Sequence, residues 1–513
     1  MTSRAEDGGR SELEMSPEQM MASAQRAAEL VIERIQNLPE EPAWRGGSRS
    51  ELEAIMREEP PEEGRPSHEV IERAAHEILP IAGRVDHPRF FAFVPSSPAW
   101  PGVLADFMAA GHNIFQGTWL GASGPSMLEV VVMDWFRSWI GYPETAGGLF
   151  TSGGSAASLD GFVAAREAAG APMQPSVYMS DQSHTALIRA ATIVGVRPES
   201  VRMVPTDEHF RLDMNELHSM IVEDQKSGLT PIAICGNAGA TNTGAIDPLD
   251  EIADYCESEE IWFHVDAAYG GFAILTDRGA GLLKGLERAD SIAMDAHKWL
   301  FQPFECGCLM VKDIQKLEKV FSVQPEYLQD TQWGRDHPNF GDRGLQLSRS
   351  FRAFKRAGCP CRPLVWPRLG ALSHKALTLL NELKLTSANL MSYILRIQLP
   401  LVLSASELIH ALQNSIMKNW EKINKAVQAR VIEEGVAMMS STRLRGLYSL
   451  RLCILNHTTT WEDVRFTLAR LRISDEKLST LEAPRERSGT FKQIDIRWSV
   501  VSPEYPVVSL LFH

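Results

Sequence analysis

Long apolar runs are missing from this 513-residue chain. No stretch reaches the ~18 consecutive apolar residues that a bilayer crossing needs, so no membrane-spanning helix is predicted. The first residues, Met1 to Gln19, carry Glu6, Asp7, Glu12 and Glu14 with no apolar core among them. Neither a secretory signal nor a membrane anchor is predicted there, and a cytoplasmic protein is expected. Positive charge is in deficit, with 51 Lys and Arg against 65 Asp and Glu and a formal net charge of −14. An acidic chain attracts neither nucleic acid nor an anionic membrane, and neither is predicted as a partner. Cysteine is scarce, seven in all and odd in number. Only Cys306-Gly307-Cys308 and Cys359-Pro360-Cys361 are closely spaced, too tightly for the usual zinc knuckle, and no metal site is predicted. Internal repeats and low-complexity blocks are absent too. What remains is 44% hydrophobic and 23% charged, the mix of an ordinary globular enzyme with room for about three domains of roughly 150 residues.

An acidic tail leads into an amphipathic helix over Pro17 to Leu38, with apolar Met20, Met21, Ala27, Leu30, Val31 and Ile35. A Pro/Glu/Gly-rich linker, Glu58 to Ser67, precedes a second helix from His68 to Leu79. This leading region, residues 1–85, is too open to fold alone and is predicted to pack on a partner subunit. From about Phe90 to Lys312 short β-rich runs alternate with helical segments. The strands are read at Val177–Ser180, Val201–Val204, Pro231–Cys235, Ile261–Val265, Ser291–Met294 and Gly307–Val311, with helices such as Ser183 to Val194 and Asp213 to Asp224 between them. Such alternation predicts an α/β domain over residues 86–355, a mostly parallel sheet covered by helices, with ligand groups at the carboxyl ends of its strands. A small α+β domain over 356–513 is predicted from a helix through Ile423 to Glu434, a strand Tyr448–Cys453 and a helix capped by Thr460 and running to Leu471. The tail after Ser474 reads as charged, then irregular.

Two of those strand ends carry the chemistry. Asp266 closes the run His264-Val265-Asp266-Ala267-Ala268, and Lys298 lies in Asp295-Ala296-His297-Lys298-Trp299. An acid that keeps a ring nitrogen protonated, followed by an amine that can condense with an aldehyde, describes a pyridoxal phosphate site. Most lysines are solvated, but Lys298 follows a strand and is flanked by Trp299, Leu300 and Phe301, whose desolvation favours a reactive amine. A strand-end Asp more often caps a turn; the small Ala267 and Ala268 beside Asp266 leave room for a flat ring. His184, in Ser180-Asp-Gln-Ser-His184, either caps the helix after it or stacks on the ring. Thr151-Ser-Gly-Gly-Ser155 joins the strand Gly148–Phe150 to a helix whose N-terminus attracts an anion, the natural cradle for the phosphate.

With these residues assembled, the chain resembles the group II pyridoxal phosphate-dependent amino acid decarboxylases, especially the aromatic L-amino acid decarboxylases. The resemblance runs from about Ala43 to Lys355 and again from about Ile423 to Leu471. It implies the type I, aminotransferase-like fold, a homodimer with sites at the interface, and decarboxylation of an L-amino acid, aromatic by implication, to the amine and CO2. Carried over by position, Lys298 holds the cofactor covalently, Asp266 partners the ring nitrogen, His184 stacks on the ring and Ala268 supports its other face. Gly154, Ser155, Asp295 and His297 match phosphate contacts, and Asn237 stands where the animal enzymes have a threonine near the ring hydroxyl. Phe93, Pro95 and Phe115 are implied as walls of an aromatic-lined substrate pocket, although such a cluster also suits a core.

Two departures keep other outcomes open. The family carries a loop tyrosine that returns a proton after CO2 leaves, and counting back from Arg349-Ser-Phe-Arg352 puts Phe340 there, with Tyr327 nearby but not assigned the role. A phenyl ring cannot donate a proton, and in related plant enzymes this exchange accompanies oxidative conversion to an aldehyde. The second departure is residues 356–417, atypical for the family, as a local reading-frame disturbance would leave them. That segment alone motivates a third reading, a cofactor-binding paralogue without turnover.

Overall fold

The computed structural model describes residues 15–94, 96–322, 333, 336–357, 421–422, 424–471 and 507–510. The atypical segment therefore lies outside the described residues except for its first two positions, as do Pro95, Tyr327 and most of the tail. Seven strands make one sheet: β1 (Gly147–Thr151), β2 (Pro175–Ser180), β3 (Val201–Val204), β4 (Thr230–Asn237), β5 (Trp262–Ala267), β6 (Ser291–Asp295) and β7 (Gly307–Val311). Their order is β1-β7-β6-β5-β4-β2-β3. The four pairings from β3 across to β6 are parallel, and β7 runs antiparallel to both neighbours. The sheet is thus mostly parallel, and the strand positions read from the sequence hold to within a few residues.

Every residue of β2, β6 and β7 is buried. A sheet covered on both faces demands continuous apolar strands rather than alternating ones, which is why these segments read so clearly. The period of two shows instead in which core each side chain enters. Ile292 and Met294 of β6 pack with Phe150, Phe263 and Met310 on one face. Ala293 between them packs with Leu149, Met179, Trp262 and Leu309 on the other.

The leading helices are α1 (Pro17–Asn37), α2 (Arg49–Met56) and α3 (Ser67–Arg73), the last continued by a π-helical turn over Ala74–Ile78. Ser16 and Gln19 form a reciprocal capping box that fixes where α1 begins. Arg26 of α1 pairs with Glu72 of α3 at 2.5 Å, and Arg34 holds Asp86 through two contacts. Next come α4 (Trp100–His112), α5 (Trp119–Ile140) and α6 (Gly154–Ala168), then α7 (Thr185–Ile193) and α8 (Met214–Lys226). Among the described residues no helix is long and apolar enough to cross a membrane.

A second sheet, β8 (Ser440–Leu444), β9 (Leu447–Cys453) and β10 (Val507–Leu510), has the order β10-β9-β8 with both pairings antiparallel. β10 corrects the reading of the tail as irregular: Val507–Leu510 pairs antiparallel with Leu450–Cys453 at an edge of β9. A helix over Trp461–Arg470, capped by Thr460 and Asp463 as a box, packs on this sheet. Phe91 enters the same core, its N–H donating to Met438 O at 2.7 Å and its carbonyl accepting from Cys453 N–H at 2.9 Å.

Candidate active site

The strand ends converge where the sheet reverses direction. Asn237 closes β4 in register with Asp266 of β5, and Asp295 closes β6 opposite Gly307 of β7. Because β7 is antiparallel, Gly307 also faces Thr151 at the end of β1. Three segments thus meet over one glycine. A Cβ there would lie 2.4 Å from Gly153 Cα and 2.7 Å from Asp295 Oδ1, and a Cβ on Gly154 would lie 2.8 Å from Ala268 Cβ. Only hydrogen fits at either position, so glycine is what lets the chain close around the site.

A cavity of about 330 Å³ opens beside this junction, and Lys298, Asp266 and His184 all line it. Gly154, Ser155, Ala268, Asp295 and His297 line it as well. Ala186, Thr241 and Phe304 belong to it unforeseen. Thr241 sits in the loop after β4, where a strand-end rule could have found it; Phe304 had no signal beyond lying six residues past Lys298.

Lys298 lies in a single helical turn, α11 in chain order after α9 (Leu249–Glu259) and α10 (Asp277–Leu282), spanning Ala296–Trp299. Its Nζ is 2.9 Å from Asp295 Oδ2, while the other oxygen of Asp295 is buried without a hydrogen-bond partner. His297 is fixed at both ends of its residue: its N–H donates to Cys306 O at 3.1 Å and its Nδ1 accepts from Cys306 N–H at 3.2 Å. Burial holds its imidazole below the ordinary histidine range, with Asp295 pulling the other way. Burial likewise raises the carboxyl of Asp266, against the opposing charge of Lys298 and the N–H of Ala268 donating at 3.1 Å. A desolvated carboxylate with so few donors favours a cationic or N–H partner from within the cavity.

His184 is the N-cap of α7, its Nδ1 accepting from Ala186 N–H at 3.2 Å. Asn237 departs from expectation: it does not line the cavity. Its amide nitrogen donates to Ser180 Oγ, Ser183 Oγ and Asp247 Oδ2 at 2.8–3.0 Å, which turns the group toward the end of β2. Asp247, fully enclosed, has its carboxyl raised to about 6 by burial despite N–H donors from Leu212 and Asn237.

The described residues expected to wall a substrate pocket lie apart from this cavity. Phe93 is 63% exposed and Phe115 is 47% exposed, and neither lines the cavity of this chain. Phe340 is 0% exposed, in a 3-10 turn over Phe340–Arg343, with the guanidinium groups of Arg343 and Arg349 at 5.1 and 5.0 Å from its ring centroid. It sits in the core beside these cations and does not line the cavity. Cys306 and Cys308 are buried thiols whose pKa values burial drives upward.

An anion-seeking helix N-terminus, a desolvated carboxylate and an amine around one cavity fit pyridoxal phosphate, and the orphaned oxygen of Asp295 is a buried polar atom beside it still in need of a donor. Comparison with known proteins agrees. Residues 50–356, more than half of the chain, match the pyridoxal-dependent decarboxylase conserved domain. An aromatic-L-amino-acid decarboxylase of Bacillus atrophaeus is 34% identical over 480 residues, covering 91% of this chain and 98% of the relative. A phenylacetaldehyde synthase of Petunia hybrida is 32% identical over 358 residues, 66% of this chain and 70% of the relative. Among solved structures, Oryza sativa TDC with PLP and tryptamine superposes with a TM-score of 0.79 at 23% identity, covering 92% of this chain and 99% of that one. That match shows the fold, the type I arrangement expected from the sequence.

Proposed function

We propose that this chain, which belongs to the pyridoxal-dependent decarboxylase family, removes the carboxylate of an aromatic L-amino acid, leaving the amine and CO2. One observation carries the reading: Lys298 and Asp266 line the same cavity as the glycine-walled start of α6. The aromatic substrate class is supported by the Bacillus atrophaeus relative, which matches nearly end to end. When bound, pyridoxal phosphate supplies an electron-poor ring that accepts the bonding pair left by departing CO2.

The chain's own residues have separate tasks. Backbone N–H groups at Gly154 and Ser155, at the positive end of a 15-residue helix, would hold the phosphate. Asp266 Oδ would hold the proton on the ring nitrogen; its desolvation strengthens that pairing. Lys298 Nζ would anchor the cofactor and carry a proton to or from the reacting carbon. With Nδ1 of His184 accepting from Ala186, the neutral ring keeps its proton on Nε2, which can donate to the substrate carboxylate. Ala268 would support the other face of the ring.

Exposed apolar side chains on α1 (Met20, Met21, Ile32, Ile35) and α4 (Leu104, Phe107, Met108) support a homodimer, whose second copy would cover them together with Phe93 and Phe115. The unpaired buried thiols of Cys235, Cys256, Cys306, Cys308 and Cys453 support a reducing, cytoplasmic setting. A second outcome, aldehyde with ammonia and peroxide, is favoured by the Petunia hybrida relative. Incubating the purified protein with a panel of L-amino acids and measuring CO2, amine, aldehyde and peroxide tests both. Amine from an aromatic member is the expected result, aldehyde with peroxide would select the second, and no CO2 from any would refute the function. Light scattering on the purified protein reads the dimer directly.

A further inference from the structure

Asp295 ends β6 and Lys298 follows three residues later on the first turn of α11, a spacing that brings both side chains to one face. They meet at 2.9 Å with little solvent between them, the carboxylate 5% and the lysine 19% exposed. Family likeness makes Asp295 a phosphate contact. Its charge has the wrong sign for that task, since a carboxylate offers no donor to an anion and repels it at short range. The phosphate already has donors of its own in the first turn of α6. Asp295 Oδ1 is buried and unpartnered, packed where a Cβ on Gly307 would strike it at 2.7 Å and one on Gly154 would press against Oδ2 at 3.3 Å. The cation that Asp295 does hold is the lysine.

We propose that Asp295 is a positioning residue that holds the freed amine of Lys298. The pair forms before the cofactor is loaded and again whenever an incoming substrate amine has displaced the lysine. The inference rests on Lys298 being the cofactor lysine. It gives the released ammonium one fixed place next to the reaction, instead of a search through the cavity, and it slows the first attachment. An ammonium gripped by a carboxylate has no lone pair to offer. To attach, it must leave Asp295 and give its surplus proton to solvent. Its nitrogen then bonds the aldehyde carbon, and the carbonyl oxygen departs as water.

The test uses cofactor-free protein, wild type and Asp295→Asn, mixed at pH 7.5 with pyridoxal or with pyridoxal phosphate. Attachment is followed by the absorbance band at about 420 nm expected of a lysine-bound pyridoxal. Asparagine keeps the shape under Gly154 and Gly307 and removes only the charge. Asp295→Asn is expected to attach both aldehydes faster, by about tenfold, the scale of one charge-assisted contact. Damage to packing would slow attachment, so acceleration is not what a merely structural residue gives. Acceleration confined to the phosphate-bearing aldehyde would mark Asp295 as facing the phosphate and overturn the proposal, as would no change with either. Should Asp295→Asn fail to fold, Asp295→Ser removes the same charge with less volume and must show the same equal acceleration. Wild-type protein that gives no band with pyridoxal phosphate would instead overturn the cofactor reading beneath it, and this inference with it.

Discussion

Removing the guanidinium of Arg349 should loosen the cofactor site from a distance. Arg349 and Glu129 form an ion pair with both side chains 0% exposed, Nη2 to Oε1 at 2.6 Å. Nη2 also donates to Phe150 O at 2.9 Å, Nη1 donates to Gln116 O at 3.2 Å, and Phe150 N–H donates to Glu129 Oε1 at 2.8 Å. The pair therefore fastens α5, the segment after Phe340 and the last turn of β1, one residue before Thr151. Arg349→Met leaves a buried carboxylate with one N–H donor and strips two carbonyls of theirs. Breaking a buried pair on one side costs about 3–5 kcal/mol. Glu129 Oε2 and Arg349 Nε have no partners even now, so the intact pair is incompletely satisfied and its net worth is small. Glu129→Gln combined with Arg349→Met should consequently recover at least about 1 kcal/mol over the single arginine variant. Urea unfolding of the cofactor-free proteins, followed by tryptophan fluorescence, measures both quantities, and titration with pyridoxal phosphate reads the cradle. An Arg349→Met loss under about 1 kcal/mol, or a double variant that costs the sum of the singles, would refute the coupling.

Other perturbations are as direct. Asp160 of α6, which accepts from Leu345 N–H at 3.3 Å, has its carboxyl raised to about 7 by burial. Because the folded state binds that proton more tightly, its stabilisation is complete below the ordinary carboxylate range and is lost as pH rises toward 7. Asp160→Asn should therefore flatten the pH dependence of the melting temperature between pH 5 and 8 and raise stability at pH 8 by up to about 4 kcal/mol, at about 1.4 kcal/mol per unit; an unchanged slope would count against a buried acid. Gly307→Ala must push Gly153 away from a contact of 2.4 Å, so cofactor affinity by equilibrium titration should fall at least about tenfold; retained affinity would mean that the junction can yield. Phe340→Tyr buries a hydroxyl between two arginines without opening to the cavity, so it should shift the urea midpoint and leave the ratio of amine to aldehyde unchanged. A shifted ratio would support the loop role for that ring.

The strands were legible because a covered parallel sheet leaves no choice of residue: Ser291–Met294 and Gly307–Val311 are apolar at nearly every position and stand between clear turns. What the pattern did not carry was direction. Nothing in Gly307-Cys-Leu-Met-Val311 says that it runs against β6 and β1, yet that reversal brings Gly307 over Gly153 and Asp295 and closes the site. The cysteine spacing around Gly307 drew the eye to the thiols; the glycine between them was the residue with a function. β10 was missed for the opposite reason. Four residues in a charged tail have no periodicity of their own, and only pairing with β9 makes them a strand. The burial of Phe340 beside Arg343 and Arg349 had no signal in the sequence, because it depends on arginines that fold back onto the ring.

His184 shows why two readings of one residue need not compete. Sequence alone left a helix cap and a ring-stacking partner as alternatives, and the cap is what the structure displays: Nδ1 accepts from Ala186 N–H at 3.2 Å. That bond supplies what the catalytic role proposed for His184 requires. A free imidazole chooses between tautomers; one whose Nδ1 accepts from α7 carries its proton on Nε2 when neutral. Asn237 makes the converse point. Its amide is committed through three contacts to Ser180, Ser183 and Asp247, and the commitment turns it away from the cavity. Whether a polar side chain serves a site therefore depends less on its place at a strand end than on which of its atoms the fold has already engaged.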